Sequence, residues 1–316
     1  MAGDRDSSTI ITTVTITAAA LIATYLIYRT IRKSSQKLIG RVKQLYIYPI
    51  KSCAGIKLDA ADCNIDGFKW DRRWIIIDEN DLFLTLRSEP TLALVQPSIE
   101  DGQLKLTAPD MPPVAVPLEV AEGATSKEIK IWRTNITAFD CGKEIGDWFS
   151  KYLNKSNLKL LFKPDTTPNR YVKDDSIWGV DGQSNDQCAF ADLTPYHLTF
   201  TASLDVLNTK SSRQISMQSF RPNIIVETEE PHVEDHYKYY HINDTTFRKV
   251  KNCERCLLTT VDPNTGVRDV AREPLISMRT YRKSADPRQK NSPLFGINTA
   301  IDRLGPIAIG NSVFAN

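Results

Sequence analysis

Asn252-Cys253-Glu254-Arg255-Cys256-Leu257-Leu258-Thr259-Thr260-Val261-Asp262-Pro263 sets two thiols three residues apart, among charges, ahead of an apolar run that stops at an Asp-Pro turn. The run from Leu257 to Val261 reads as a strand, with Cys256 where it begins. Arg255 and Lys251 lie near Cys256 in the chain, and such cations favour the thiolate, the form that ligates metals. Spacing alone leaves three readings open. An isolated cysteine is commonly a small buried core residue. A Cys-x-x-Cys can be half of a zinc site, but no second half lies at finger spacing. A thioredoxin-type dithiol expects a strand passing into a helix, whereas a strand follows here. If that strand alternates its faces, Cys253 and Cys256 point to opposite sides.

Outward from this stretch, basic residues recur at the edges of apolar strands. Lys51-Ser52 follows Tyr46 to Ile50 through Pro49, Arg72 precedes Trp74-Ile75-Ile76-Ile77, and Arg221-Pro222-Asn223 precedes Ile224-Ile225-Val226. Each could be an ordinary exposed charge. Together, a rim of strand ends could converge on one anion. Guanidinium forks and an ammonium beside serine and asparagine suit a phosphate or a polar heterocycle.

The intervening pattern is that of short strands. Candidates are Leu45–Tyr48, Ile56–Leu58, Trp74–Ile77 with a turn into Leu82–Leu84, Leu104–Leu106, Val114–Val116, Ile129–Trp132, Leu158–Phe162, His197–Phe200, Asn223–Val226 and Phe247–Val250. Pro112, Pro113 and Pro117 place some of them at sheet edges. One helix opens after Asp140 as N-cap and carries Ile145, Trp148, Phe149, Tyr152 and Leu153 on one face. Shorter helices are expected at Ser203–Asn208 and Pro274–Arg282. Lys163 to Gln187, rich in Pro, Asp and Gly, reads as a boundary or a surface excursion. The absence of regular strand–helix alternation disfavours a Rossmann sheet and favours an α+β, β-rich fold with peripheral helices. No glycine-rich nucleotide loop is present.

With 316 residues the chain has room for two domains, and its net charge of +2 argues against a nucleic-acid surface. Six scattered cysteines in a chain of this length read as reduced thiols rather than a disulfide scaffold. The stretch Thr9 to Tyr28 contains no charged residue and, as a helix, would span roughly 30 Å, about a bilayer core. Arg29, Arg32, Lys33 and Lys37 follow it, so the positive-inside rule keeps the body in the cytosol. Such an anchor suits the mitochondrial outer membrane, with the endoplasmic reticulum as the alternative.

Four motifs then resemble one family. Tyr48-Pro49-Ile50-Lys51-Ser52-Cys53 is similar to the opening of the β-barrel domain that precedes MOSC domains. Phe220-Arg221-Pro222-Asn223, Arg255 to Pro263 and Ser292-Pro293-Leu294-Phe295-Gly296 resemble signatures of the MOSC domain itself. The resemblance covers about Arg41 to Asn316, and the anchor agrees with the amidoxime-reducing subgroup. The charge pattern gives a tail at 1–8, an anchor at 9–28 and a linker at 29–39, and the resemblance implies an N-terminal β-barrel-like domain at 40–165 and a MOSC-type mixed β-barrel at 166–316.

The resemblance also implies a molybdopterin cofactor whose molybdenum is bound by the pterin dithiolene, oxo ligands and one cysteine thiolate, matched by Cys256. Lys51, Ser52, Arg72, Arg221, Asn223 and Arg255 match positions that hold the pterin and its phosphate, and Asp192 and Thr194 match a loop near the metal. Glu254 departs from the pattern, which has a small polar residue there. The implied reaction is reduction of N-hydroxylated substrates such as amidoximes and hydroxylamines, with electrons from NADH through cytochrome b5 reductase and cytochrome b5. The competing expectation is a non-enzymatic sulfur or molybdopterin carrier, or a membrane adaptor, of the same fold.

Overall fold

The structure, a computed structural model, describes residues 36–174, 182–289 and 291–316. The expected anchor lies outside these residues. Among the described residues no helix is long and apolar enough to cross a membrane.

Seven strands close into a barrel. Around it run Ile224–Glu227, Tyr196–Phe200, Leu294–Arg303, Thr245–Glu254, Tyr239–Ile242, Ser312–Ala315 and Lys37–Ile47, and the last pairs back to the first. Closure leaves no open edge among these strands. The one parallel pair of the barrel, Tyr196–Phe200 with Ile224–Glu227, is joined through the helix Thr201–Lys210, as a parallel pair requires a crossover. Inside the barrel pack Leu45, Ile47, Leu198, Ile224, Phe247 and Ile297. The first strand begins at Lys37, within the stretch read as linker, and it pairs with strands far along the chain.

The second body is a half-barrel. Trp74–Ile77, Lys159–Phe162, Thr134–Asp140 and Ser126–Ile131 form a four-stranded antiparallel sheet. The four-residue run Trp74–Ile77 is buried on both faces. Trp74 and Ile76 join one core cluster, and Ile75 and Ile77 the other, as period-two alternation dictates. The turn after it pairs Ile77 with Phe83, as the sequence suggested. Val114–Pro117 is the outer strand of a three-stranded sheet, where its proline is tolerated.

The helix after Asp140 runs Lys143–Leu153 and buries Ile145, Trp148 and Phe149. Gly142, not Asp140, occupies the N-cap, and Asp140 acts two residues earlier, its Oδ1 accepting from the Gly142 amide at 2.9 Å. Asn154, at φ 50°, closes the other end.

One expectation is overturned. Leu257–Thr260 is a short 3-10 helix, not a strand. Threonine hydroxyls explain why. Thr259 Oγ1 donates to the Cys256 carbonyl at 2.9 Å and Thr260 Oγ1 to the Leu257 carbonyl at 2.7 Å. These local bonds offer the backbone an alternative to a ladder. The expected Asp-Pro turn does form, with Asp262 Oδ1 accepting from the Asn264 amide at 2.8 Å.

Because every barrel pairing among the described residues begins at or after Lys37, a chain starting at residue 36 is expected to fold with an unchanged melting temperature and to stay dispersed without detergent. Sedimentation with and without detergent checks this. A shortened chain that still needs detergent would place its membrane affinity elsewhere.

Candidate functional site

Turns of the barrel and of the half-barrel converge on one cavity. Lys51 and Ser52 follow the Lys37–Ile47 strand, Arg72 precedes Trp74–Ile77, Asp192 and Thr194 precede Tyr196–Phe200, Arg221 and Asn223 precede Ile224–Glu227, and Arg255 and Cys256 follow Thr245–Glu254. All nine line one cavity of about 410 Å³. The structure therefore brings together every residue singled out from sequence. Three of them, Ser52 (φ 75°), Arg72 (φ 49°) and Arg221 (φ 55°), hold left-handed backbone that is uncommon outside glycine. Such backbone persists only where surroundings enforce it, and it clusters at functional sites.

The enforcing contacts are specific. Arg72 donates to Asp71 at 2.7 Å and to the Arg221 carbonyl at 2.9 Å, tying two turns together. Arg221 Nη1 donates to the Cys53 carbonyl at 2.5 Å. Both guanidiniums lie over the Tyr48 ring, 4.4 and 4.2 Å from its centre. Asn223 Nδ2 donates to the Tyr46 carbonyl, and its Oδ1 accepts from the His197 amide, which locks the rim.

Charge is unevenly matched in the cavity wall. Five basic side chains, Lys51, Arg72, Arg87, Arg221 and Arg255, face two acidic ones, Asp192 and Glu254. Lys51 Nζ reaches Asp192 at 2.6 Å and the Phe190 carbonyl at 2.9 Å. Burial lowers the Lys51 pKa, and Asp192 opposes that shift. For Asp192, burial pushes the carboxyl up, but Lys51, with Arg87 and Arg170, overrides it and brings it to about 2. Half of the Asp192 side chain, 52%, is open to solvent, so screening keeps the pair's contribution to stability small. Burial also pulls the Arg221 pKa down to about 10, which leaves it charged near neutrality.

Glu254, the departure from the family pattern, binds Lys251 at 2.7 Å. Its charge is thus offset locally, at a strand end beside the thiols.

The two cysteines do not face opposite sides. Both line the cavity, because the segment between them leaves the strand at Glu254 and turns. They differ in access instead. Cys256 is exposed, while Cys253 is half-buried with Arg255 Nη1 at 2.8 Å from its Sγ. Burial raises the Cys253 pKa against the pull of Arg255. Cys53, at the base of the Lys51 turn, is fully buried and pushed up to about 12, an inert thiol. Among the described residues no cluster of three His, Cys, Asp or Glu groups could hold a metal by itself.

Sequence reasoning missed Arg87, Trp132, His197 and Asn298, all in the wall. Arg87 stands 3.9 Å from the Cys256 sulfur and stacks over Trp132 at 5.3 Å. It comes from a turn of the half-barrel, and nothing in its local sequence marks it. His197 is held neutral by burial first and by Arg255 second, which push its pKa well below the ordinary value.

Gly296, the last residue of the Ser292–Gly296 motif, has a physical requirement. At φ 70° it passes so close to the Tyr196–Phe200 strand that a Cβ would sit 2.5 Å from the Leu198 carbonyl oxygen and 2.7 Å from His197 Nε2. Gly296→Ala is expected to cost about 1–3 kcal/mol in strain, with overpacking of similar size. The midpoint of urea unfolding measures it, and an unchanged midpoint would contradict the close approach.

Comparison with known proteins places these features in a family. Residues 39–156 match the MOSC N-terminal beta barrel domain, and residues 185–314 match the MOSC domain. Mitochondrial amidoxime reducing component 2 of Rattus norvegicus is 33% identical over 296 residues, covering 90% of this chain and 85% of that protein. The Homo sapiens protein of the same name is 33% identical over 291 residues, with the same coverage. Mitochondrial amidoxime-reducing component 1 of Homo sapiens is 30% identical over 310 residues, covering 95% of this chain and 90% of that protein.

Proposed function

This chain belongs to the MOSC-domain family of mitochondrial amidoxime-reducing components, and from that premise we propose that it is a molybdenum-cofactor-dependent reductase of N-hydroxylated compounds. The observation that carries the reading is one basic cavity, walled by all nine expected residues, into which an exposed thiol opens.

The residues present fit a molybdopterin. Its phosphate and polar heterocycle need many donors, and the wall offers five cations against two carboxylates. Arg255 Nε and Arg221 Nη2 are buried there without hydrogen-bond partners, and a buried donor left so is costly. A soft thiolate suits a metal of this kind, and Cys256 is the exposed candidate. Lys51, Ser52, Arg72, Arg221, Asn223 and Arg255 would hold the pterin and its phosphate, and Cys256 would ligate the metal. When bound, the cofactor supplies the two-electron redox chemistry.

The protein supplies position and polarity. The cross-linked turns at Tyr48, Arg72 and Arg221 hold the donors still, so little ordering is needed on binding. Asp192, kept ionised by Lys51, stands at the open side of the cavity. It offers an acceptor to an amidoxime or hydroxylamine N–H or O–H. The reaction consumes two electrons and two protons at the substrate N–O bond and releases water. Electrons come from NADH through cytochrome b5 reductase and cytochrome b5. The name "mitochondrial" on the relatives and the charge pattern around Thr9 to Tyr28 support an anchor in the outer mitochondrial membrane, with the body facing the cytosol.

The test is NADH-dependent reduction of benzamidoxime by the purified chain with added cytochrome b5 and its reductase. Turnover that requires all three proteins supports the reading. Bound molybdenum and pterin without turnover would favour a carrier, and absence of both an adaptor.

A further inference from the structure

One stretch of the cavity wall, from the half-barrel, has no part of the cofactor assigned to it. Arg87 and Trp132 stand there, both half-buried, on two different turns. Trp132 tips the hairpin between Ser126–Ile131 and Thr134–Asp140. Ile131 pairs with Thr134, so the loop is the two residues Trp132 and Arg133. Such short loops favour glycine, asparagine or aspartate where the backbone is left-handed, yet Trp132 sits at φ 55°. For a bulky residue that backbone is strained and lasts only where the surroundings enforce it. Here the ring is held on two sides. Arg87 lies over the indole, 5.3 Å from its centre, and Phe83 meets it edge-on at 5.8 Å.

Arg87 is fixed through its backbone. Its amide donates to Thr85 Oγ1 at 3.2 Å, and its carbonyl accepts from Arg268 Nη2 at 2.6 Å. Its guanidinium makes no ion pair among the described residues; its contacts are Trp132 and the Cys256 sulfur, 3.9 Å away. A positive charge therefore faces the cavity beside the thiol that would ligate the metal. It also helps to keep the Asp192 carboxyl ionised. Together the two side chains offer a flat surface of indole and guanidinium, which suits a planar conjugated group.

In the proposed reduction, substrate and product differ in charge. An amidoxime is uncharged near neutral pH. Two electrons and two protons cleave its N–O bond and give an amidine and water. The amidine, a much stronger base, takes up a third proton and becomes a cation.

We propose that Arg87 and Trp132 form the substrate wall of this cavity: the neutral, planar amidoxime stacks on it, and the like charge of Arg87 drives the amidinium product out. This rests on the reductase reading and adds to it the residue that tells substrate from product. Arg87 acts twice, because it also covers an indole that would otherwise attract the amidinium.

Calorimetric titration of the cofactor-loaded full chain with benzamidoxime and with benzamidine, in the absence of an electron donor, tests it. The wild type is expected to bind the amidoxime more tightly, with a preference that narrows as salt screens the charge. Arg87→Met removes the charge and keeps a long side chain, so benzamidine should bind roughly tenfold tighter while benzamidoxime changes little. Arg87→Lys keeps the charge and should retain weak benzamidine binding. Trp132→Leu should weaken benzamidoxime several-fold. Equal wild-type affinities, unchanged benzamidine binding in Arg87→Met, a lysine variant that behaves like the methionine one, or unchanged benzamidoxime binding in Trp132→Leu would overturn the proposal. So would loss of pterin from a folded Arg87→Met protein, since Arg87 would then belong to the cofactor. Turnover is measured separately. Binding preference without turnover would fail the reductase reading alone, and turnover without the preference would fail only this inference.

Discussion

Cys256→Ser is expected to abolish N-reduction while leaving much of the pterin in place. A serine hydroxyl stays protonated near neutral pH and is a hard donor, so the metal loses its soft protein ligand. Loss of a partner one step removed from a metal typically costs roughly 10–100-fold, and loss of the ligand itself should exceed that. The pterin would still be held by Lys51 and Arg221 on other turns and by Arg255 beside the lost ligand. Cys253→Ser is expected to cost little. Although Cys253 shares the cavity, its sulfur already serves as acceptor for Arg255, a part that a hydroxyl can also play. Steady-state reduction and fluorimetric pterin content separate these outcomes. Near-normal turnover in Cys256→Ser, or equal losses in both variants, would overturn the assignment.

Arg221→Ala is expected to empty the cavity of cofactor. Arg221 carries a buried guanidinium donor without a partner and lines the cavity beside the Lys51 turn. Truncating one member of a desolvated charge pair costs about 2–5 kcal/mol, or roughly 30-fold to several thousandfold in affinity. Melting temperature controls for folding, because the variant also loses the bond to the Cys53 carbonyl and the stack on Tyr48. Unchanged pterin in a folded variant would remove Arg221 from the binding residues. Arg72 is a less clean probe. Its guanidinium is engaged by Asp71, which is 4% exposed, so Arg72→Ala would strand a buried carboxylate and weaken the fold as well.

Much of this arrangement was legible in the chain, and the reasons are local. Trp74–Ile77 announces a strand buried on both faces because four consecutive large apolar residues have no solvent side. The turns at Lys51, Arg72 and Arg221 are legible as charges at strand edges, since an apolar strand flanked by a cation must end near water or near an anion. What stayed hidden depends on through-space competition. Leu257–Thr260 carries a strand composition, but the hydroxyls of Thr259 and Thr260 capture their own backbone three residues back. The chain leaves its strand at Glu254, between the two cysteines, and so brings Cys253 and Cys256 into one cavity. Arg87 was invisible because its relation to Cys256 spans 169 positions and arises only when the half-barrel meets the barrel rim. The same holds for Gly296. Its motif was recognisable, whereas the reason for a glycine there is the nearby Leu198 carbonyl.

X-ray absorption at the molybdenum edge, recorded on the wild-type chain and on Cys256→Ser, tests the central claim most directly. The account predicts molybdenum in both proteins, with one sulfur neighbour fewer around the metal in the variant. An unchanged sulfur count, or a wild-type chain purified in pterin-bound form that holds no metal–sulfur bond beyond the dithiolene, would contradict it.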